Sequence, residues 1–573
     1  MIEPERIRTT AVTVAVAAAI TLLAVACGGS SDESGPTDAT ADNAPVVEST
    51  PSTGGEIVMA VTAETNGWNP ALAQWADAGN FVGSSFLEPL FVTNPDGEIV
   101  PWLAESVTPD SDAYDVWTVK LRQGIRFHDG SELNAANIKA GMELAINEGL
   151  SGIALGDYFD RVDVIDDYTA KIFLTIKWAT FPNVIAGPNG YQMALSMLET
   201  DDKGASNPVG TGPYEFESWT PDESVKVRKF EGYWGGPCAL DAPEESVVEL
   251  CEAAGVPIGQ PNGPFLDAME FRPIPDALQR SNALESGDVN LVLTTRATDV
   301  ARLRGPYTTV TNYDGEQTLI MTSASKPPFD NEHARRALAF ATNRQPIVDL
   351  VSAGESIVSD TWPFSTSSPW GQLADGDNGY PAYDPQRATE ELEQYKTDTG
   401  EQTLSFTFSG LANTADLEIM QALLQQWAEV GIEARIDTIE QTVYIGRLVA
   451  NDFEAAYFRN YAYPDPDSLY SFWSESTAGG PISINFTQYY SEATEAALKT
   501  GRETTDFETR RQAYDQLMRE RNEQAIELWL FNTPYALIAD RNVHGLNWFR
   551  IMGFGNFLPK PWIGGLWVDS GQG

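Results

Sequence analysis

The places where this chain of 573 residues could do chemistry are few. His128-Asp129 sits in RQGIRFHDGSE with Arg122 and Arg126 close by, which joins a proton acceptor, a carboxylate and two guanidinium groups. Asp465 and Asp467 in YPDPDS form a carboxylate pair of the kind used in general acid and base catalysis. Neither constellation has a third partner that spacing identifies, and the chain contains no GxSxG and no HExxH. With 82 Asp+Glu, acidic pairs arise by chance. Gly210-Thr-Gly212 begins like a phosphate loop but lacks the third glycine, the lysine and a following helix, so it reads as a turn feeding two strands. Three histidines (His128, His333, His544) and three cysteines without a CxxC give no metal-ligand spacing. The expectation is a protein that is not an enzyme and needs no cofactor or metal, with an extracytoplasmic hydrolase kept as the alternative.

The elements around these residues explain their types. In Val116–Leu121 the residues Trp117, Val119 and Leu121 alternate with polar ones, which predicts a half-buried strand. His128-Asp129-Gly130 then reads as a turn, and Asn134 as the N-cap of a helix through Ile138 and Met142 to Ile146. Strands are predicted over 56–62, 170–177, 214–219, 224–230, 269–272 and 289–293. From about Tyr313 helix and strand alternate, and Ile419, Met420, Leu423, Leu424, Trp427 and Val430 mark one face of an amphipathic helix over 415–430. Residues 235–264 read as an insertion rich in Pro, Gly and acid. The pattern is α/β with mixed sheets, and the length asks for more than one lobe. A net charge of −46 repels phosphate backbones, so no nucleic-acid partner is expected.

Thr9–Ala26 is an uncharged run rich in Ala, Val and Leu behind Arg6 and Arg8, as in an export signal. Ala24-Val25-Ala26-Cys27-Gly28 resembles a bacterial lipobox, in which cleavage precedes Cys27 and the cysteine carries lipid, although Ala24 stands where Leu is usual. A cleaved soluble protein and a retained helix are the alternatives. Gly28–Gly55 is polar and rich in Ser, Thr, Asp and Pro, the composition of a flexible tether. Export permits a disulfide, and Cys238 with Cys251 would close a short loop; the alternative is two free thiols.

Four separated blocks resemble one family: LAES…WTVKLRQGIRFHDGSELNAANIK, NPVGTGPYEFESW…EGYWG, FDNEHARRALAFATNRQPIVD, and LLQQWAEVGIEARI with YPDPDSLYSFW. They are similar to the family 5 extracytoplasmic solute-binding proteins, the peptide, dipeptide and nickel binding components of ABC importers. The resemblance implies a two-lobed, hinged fold of the type II periplasmic-binding-protein kind. Residues 1–27 would be the lipoprotein signal and 28–55 the tether. Lobe one would comprise 56–97, 205–312 and 535–573, with a family-specific subdomain at 98–204, and lobe two 313–534. It also implies a monomer on the outer face of the cytoplasmic membrane, held by a lipid anchor, that takes a peptide or other small solute to ABC permease subunits. A signalling or chaperone-like binding module on the same fold is the alternative.

Ligand contacts are expected from Trp68, Asn69 and Trp75 after the first strand, from Trp362 and Trp370, and from Tyr461, Ala462, Tyr463, Asp465 and Trp473; the aromatic ones have core packing as their alternative. Peptide-binding members carry an aspartate for the peptide ammonium at the position of Ala462. Its loss turns the expectation toward a cationic, sugar-like or other small solute, with Asp465 or Asp467 as possible substitutes.

Overall fold

Two mixed sheets organise the body of the protein, seen here in a computed structural model. The structure describes residues 51–73, 75, 77–94, 98–149, 155–186, 188–253, 258–260, 263–313, 316–359, 370, 378–461, 465–475, 484–546 and 561–569. Cys27 and the segment around it, Trp362, Ala462 and Tyr463 lie outside these residues.

The first sheet has seven strands in the order 308–312, 535–539, 291–294, 56–61, 268–273, 224–229, 214–220. Glu56–Val61 runs parallel to both Ala268–Pro273 and Leu291–Thr294. Burial on both faces fixes its composition. Ile57, Met59 and Val61 enter one core and Ala60 the other, as the two-residue period of a strand dictates. The second sheet has six strands in the order 357–358, 527–532, 316–322, 455–461, 405–411, 433–439. Here too a central strand is buried on both sides: Ile320 faces one core, Leu319 and Met321 the other. Helix Thr414–Glu429 supplies Ile419, Met420, Leu423 and Trp427 to the first of these cores.

The chain passes between the sheets twice among the described residues, from 308–312 to 316–322 and from 527–532 to 535–539. These passages lie side by side, because Asn312 pairs with Tyr535 in one sheet and Gln317 with Asn532 in the other. Two adjacent strands crossing between two sheets are the geometry of a hinge.

A four-stranded antiparallel sheet, in the order 104–109, 116–121, 169–174, 159–166, shares its core with the seven-stranded sheet. Helix Ala135–Asn147 covers it and is capped by Asn134, whose side chain accepts from Ala136 N while Asn137 accepts from Asn134 N. The described residues of 235–264 carry more regular structure than their composition suggests. They contain helix Glu245–Ala253, and Glu244 just before it forms a two-point ion pair with Arg122. Cys238 and Cys251 are joined by a disulfide.

Candidate functional site

A cavity of about 370 Å³ opens where the two sheets meet. Its walls are the residues that follow strand ends: Thr62 and Ala63 after 56–61, Thr295–Ala297 after 291–294, and Asn413 after 405–411. The carboxyl ends of parallel strands are where α/β sheets leave a crevice, because the chain must turn away there into a helix. Thr533, Pro534 and Tyr535 from one crossing passage form its back.

Charge in the cavity is unlike charge in the rest of the chain. Arg280, Arg296 and Arg459 line it, against Asp416 as the acid among the described lining residues. Arg280 belongs to helix Ala277–Ser286, and its side chain is fixed by three backbone carbonyls, Leu293 at 3.0 Å, Ile274 at 2.6 Å and Pro275 at 2.8 Å. Burial pulls this guanidinium down to about 10, which leaves it charged at neutral pH. Arg296 precedes helix Ala297–Leu303; it is half-exposed, with Nη1 at 3.9 Å from Asp299. Asp416 lies in the first turn of helix Thr414–Glu429. Burial raises its carboxyl, while the Arg459 charge and the Asn413 amide at 2.9 Å act in the opposite direction. At the back, Thr318 and Thr533 share a hydroxyl hydrogen bond of 3.1 Å.

The residues expected to touch ligand are placed differently. Trp68 is 2 % exposed and packs edge-on against Trp75, Phe86 and Trp219. Asn69 is a turn residue, donating to Lys203 O at 2.7 Å and accepting from Ala71 N at 2.9 Å. Trp75 donates to Gly67 O at 2.8 Å and packs on Tyr191. Trp370 is buried against Phe507 and Tyr514, and Trp473 lies buried beneath the Arg521 guanidinium. These aromatic rings are core residues because ring area is worth most when removed from water. Tyr461 ends strand Ala455–Tyr461, the strand that also carries Arg459.

Asp465 and Asp467, the candidate substitutes for the aspartate missing at position 462, are both ion-paired within the protein. Asp465 caps the following turn through Asp467 N and pairs with the buried Arg510. Asp467 is used on both oxygens. Oδ1 accepts from Arg502 at 2.8 Å, and Oδ2 from Trp178 at 2.6 Å and Thr180 at 2.8 Å. Trp178 and Thr180 belong to the segment after the four-stranded sheet, so Asp467 stitches that segment to the second sheet's side. The other two motifs turn out to be partners of each other. His128 Nε2 lies 3.0 Å from Gly212 O, and Gly210 N donates to Nδ1. Glycine is required at both positions, since a Cβ would come within 1.9 Å of Phe86 O at 210 and 2.6 Å of Phe86 C at 212. Thr211 between them donates to the buried Glu88.

No spacing in the sequence announced the cavity residues, which come from eight separate segments. The available signal was weak: Arg296 just after one strand and Arg459 within another, in a chain with 36 Lys+Arg against 82 Asp+Glu. Among the described residues there is no cluster of ligating side chains for a metal, and no helix is long and apolar enough to cross a membrane.

The model of the bacterial extracellular solute-binding proteins, family 5, matches residues 98–481. The chain belongs to this family. The glutathione-binding protein GsiB of Salmonella typhi is 30 % identical over 370 residues, 63 % of this chain and 65 % of that protein, so the match spans less than two thirds of the length of such relatives. Among solved structures, the periplasmic binding protein DppA of Helicobacter pylori, in complex with the peptide STSA, superposes with a TM-score of 0.75 at 20 % identity, covering 91 % of this chain and 99 % of that one. The oligopeptide-binding protein AppA of Bacillus subtilis, bound to a nonapeptide, gives 0.74 at 20 % identity, over 91 % of this chain and 100 % of that one. The fold of this family 5 member is therefore the two-lobed α/β fold of these binding proteins.

Proposed function

We propose that this family 5 protein is the solute-binding component of an ABC import system and binds, without chemical conversion, a peptide or other small solute. The observation that carries the reading is the polar cavity at the two-strand crossing between the sheets. Its size suits a small solute, and its walls come from both sides of a hinge, so closure would enclose what it holds. The name of the related glutathione-binding protein supports a small peptide as ligand class. In this reading lobe one is 56–97, 205–312 and 535–573 with the subdomain 98–204, and lobe two is 313–534. Tyr461, Ala462, Tyr463 and Trp362 extend the ligand wall. Cys27 carries the lipid and 28–55 tethers a monomeric body outside the membrane, where permease subunits receive the solute. Mass spectrometry of solute released from the purified full chain, followed by calorimetric titration of that solute and of short peptides, tests the reading. One solute bound per chain is expected. No released solute and no binding across the panel, together with unchanged uptake in a deletion strain, would refute it.

A further inference from the structure

Three guanidinium groups lining one cavity need an explanation in a chain whose net charge is −46. Resting on the function proposed above, we infer that the cavity selects solutes bearing a carboxylate, and that Arg280 and Arg296 on the first sheet's side hold it. The two arginines on opposite walls are not equivalent. Arg459 has the Asp416 carboxyl as a nearby counter-charge, and the strand opposite presents Thr318, so that wall is locally balanced. Arg280 is different. Its Nε and Nη1 are taken by carbonyls, it is 3 % exposed, and Nη2 makes no hydrogen bond among the described residues. The acids nearest in charge, Asp276 and Asp299, make no hydrogen bond to it: Asp276 caps its own helix through Gln279 N, and Asp299, whose Oδ2 has no partner among the described residues, keeps Oδ1 at 3.6 Å from Arg302 and 3.9 Å from Arg296.

A buried cation with an unused donor is costly to leave unmatched, and carboxylate is the group whose geometry suits a guanidinium fork. Arg296 adds a second, more exposed cation at the same wall, with Asp299 at 3.9 Å. Ala297 and Ala277 beside the two arginines keep that wall low, leaving room for the anionic end of a solute. This inverts the expectation drawn from Ala462. The position that would hold an ammonium is empty of charge, and the surplus charge in the cavity is positive.

The test uses matched pairs of probes that differ in one carboxylate: N-acetyl-trialanine against its C-terminal amide, and glutathione against its glycyl ethyl ester. Each is titrated into the full-length wild type and into Arg296→Ala, whose half-exposed side chain makes the substitution tolerable to the fold. The acid member of a pair is expected to bind at least tenfold tighter to wild type. Arg296→Ala should weaken the acid about tenfold and the neutral member by less than twofold. Equal binding of acid and neutral members, or equal weakening of both by the substitution, overturns the inference and leaves the solute-binding function standing. A released solute that carries no acidic group overturns it in the same way. If no probe binds and no solute is released, the function proposed above fails, and this inference with it.

Discussion

The seam around Asp467 and the cavity around Arg280 both bury charge between parts of the chain far apart in sequence, but they treat it in opposite ways. In the seam, the carboxylate of Asp467 receives three donors, and the Arg502 guanidinium is stacked between Trp178 at 3.9 Å and Tyr470 at 3.6 Å. Both side chains of the pair are at most 5 % exposed. In the cavity, Arg280 is held by carbonyls, which position a cation without neutralising it. A carboxylate with three donors contributes cohesion and has little left to offer a ligand, although Nη1 of its partner Arg502 is buried without a hydrogen bond among the described residues. A charge fixed by dipoles alone keeps its demand for a counter-ion. The lesson is that acidity or basicity in a sequence does not mark a site; the state of pairing does.

The largest effect should come from breaking the seam. Asp467→Ala leaves Arg502 buried without its carboxylate and should cost about 3–5 kcal/mol, read by chemical denaturation. A loss below about 1 kcal/mol would mean the seam is no more cohesive than a surface pair, and the contrast with the cavity would collapse. A second perturbation sets the scale away from both regions. Replacing Cys238 and Cys251 by serine opens a loop with a sequence separation of 13 and should cost about 3 kcal/mol. Solute affinity should stay unchanged, because neither residue lines the cavity.

Acid should reveal a third, smaller contribution. Burial depresses His128 to about 4 from its ordinary 6.5. A group with a depressed folded pKa binds fewer protons in the native state, so its stabilisation is present above pH 6.5 and is lost as pH falls toward 4. The loss should be about 2–3 kcal/mol, discounted for a half-buried ring. Glu88 acts in the reverse sense. Burial raises it to about 7 against four hydrogen-bond donors, so its stabilisation is full below pH 4.5 and lost as pH rises through 7. The denaturation midpoint of His128→Asn should therefore fall less steeply between pH 6.5 and 4 than that of wild type. Parallel curves would place the acid sensitivity elsewhere. The smallest stability change belongs to the cavity: Arg296→Ala should alter unfolding free energy by no more than about 0.5 kcal/mol while weakening an acidic solute.

The chain's regular elements were legible because their causes are local. Alternation fixed Val116–Leu121, Asn134 capped its helix, and the amphipathic face at 415–430 became helix Thr414–Glu429. Helix Glu245–Ala253 was missed because the Pro and Gly around it read as loop, whereas its order comes from a disulfide and the Arg122 ion pair. The candidate site was the least legible part. Trp68 and Trp370 have the residue type of a stacking platform, yet packing decides whether a ring meets ligand or core, and packing is not local. Arg280 gave no sequence signal at all, since its role depends on three carbonyls that the fold brings to it.

The central claim is that the cavity at the crossing strands is where solute binds, and a residue that fills it tests this most directly. Ala277 lines the cavity at the start of helix Ala277–Ser286 and is half-buried, so tryptophan there can occupy solute space without entering a core. Calorimetric titration of the released solute into the wild type and Ala277→Trp should give one site per chain in the first. Ala277→Trp should melt within a few degrees of wild type and lose at least a hundredfold in affinity. A variant that is folded and binds as tightly as wild type would contradict the claim.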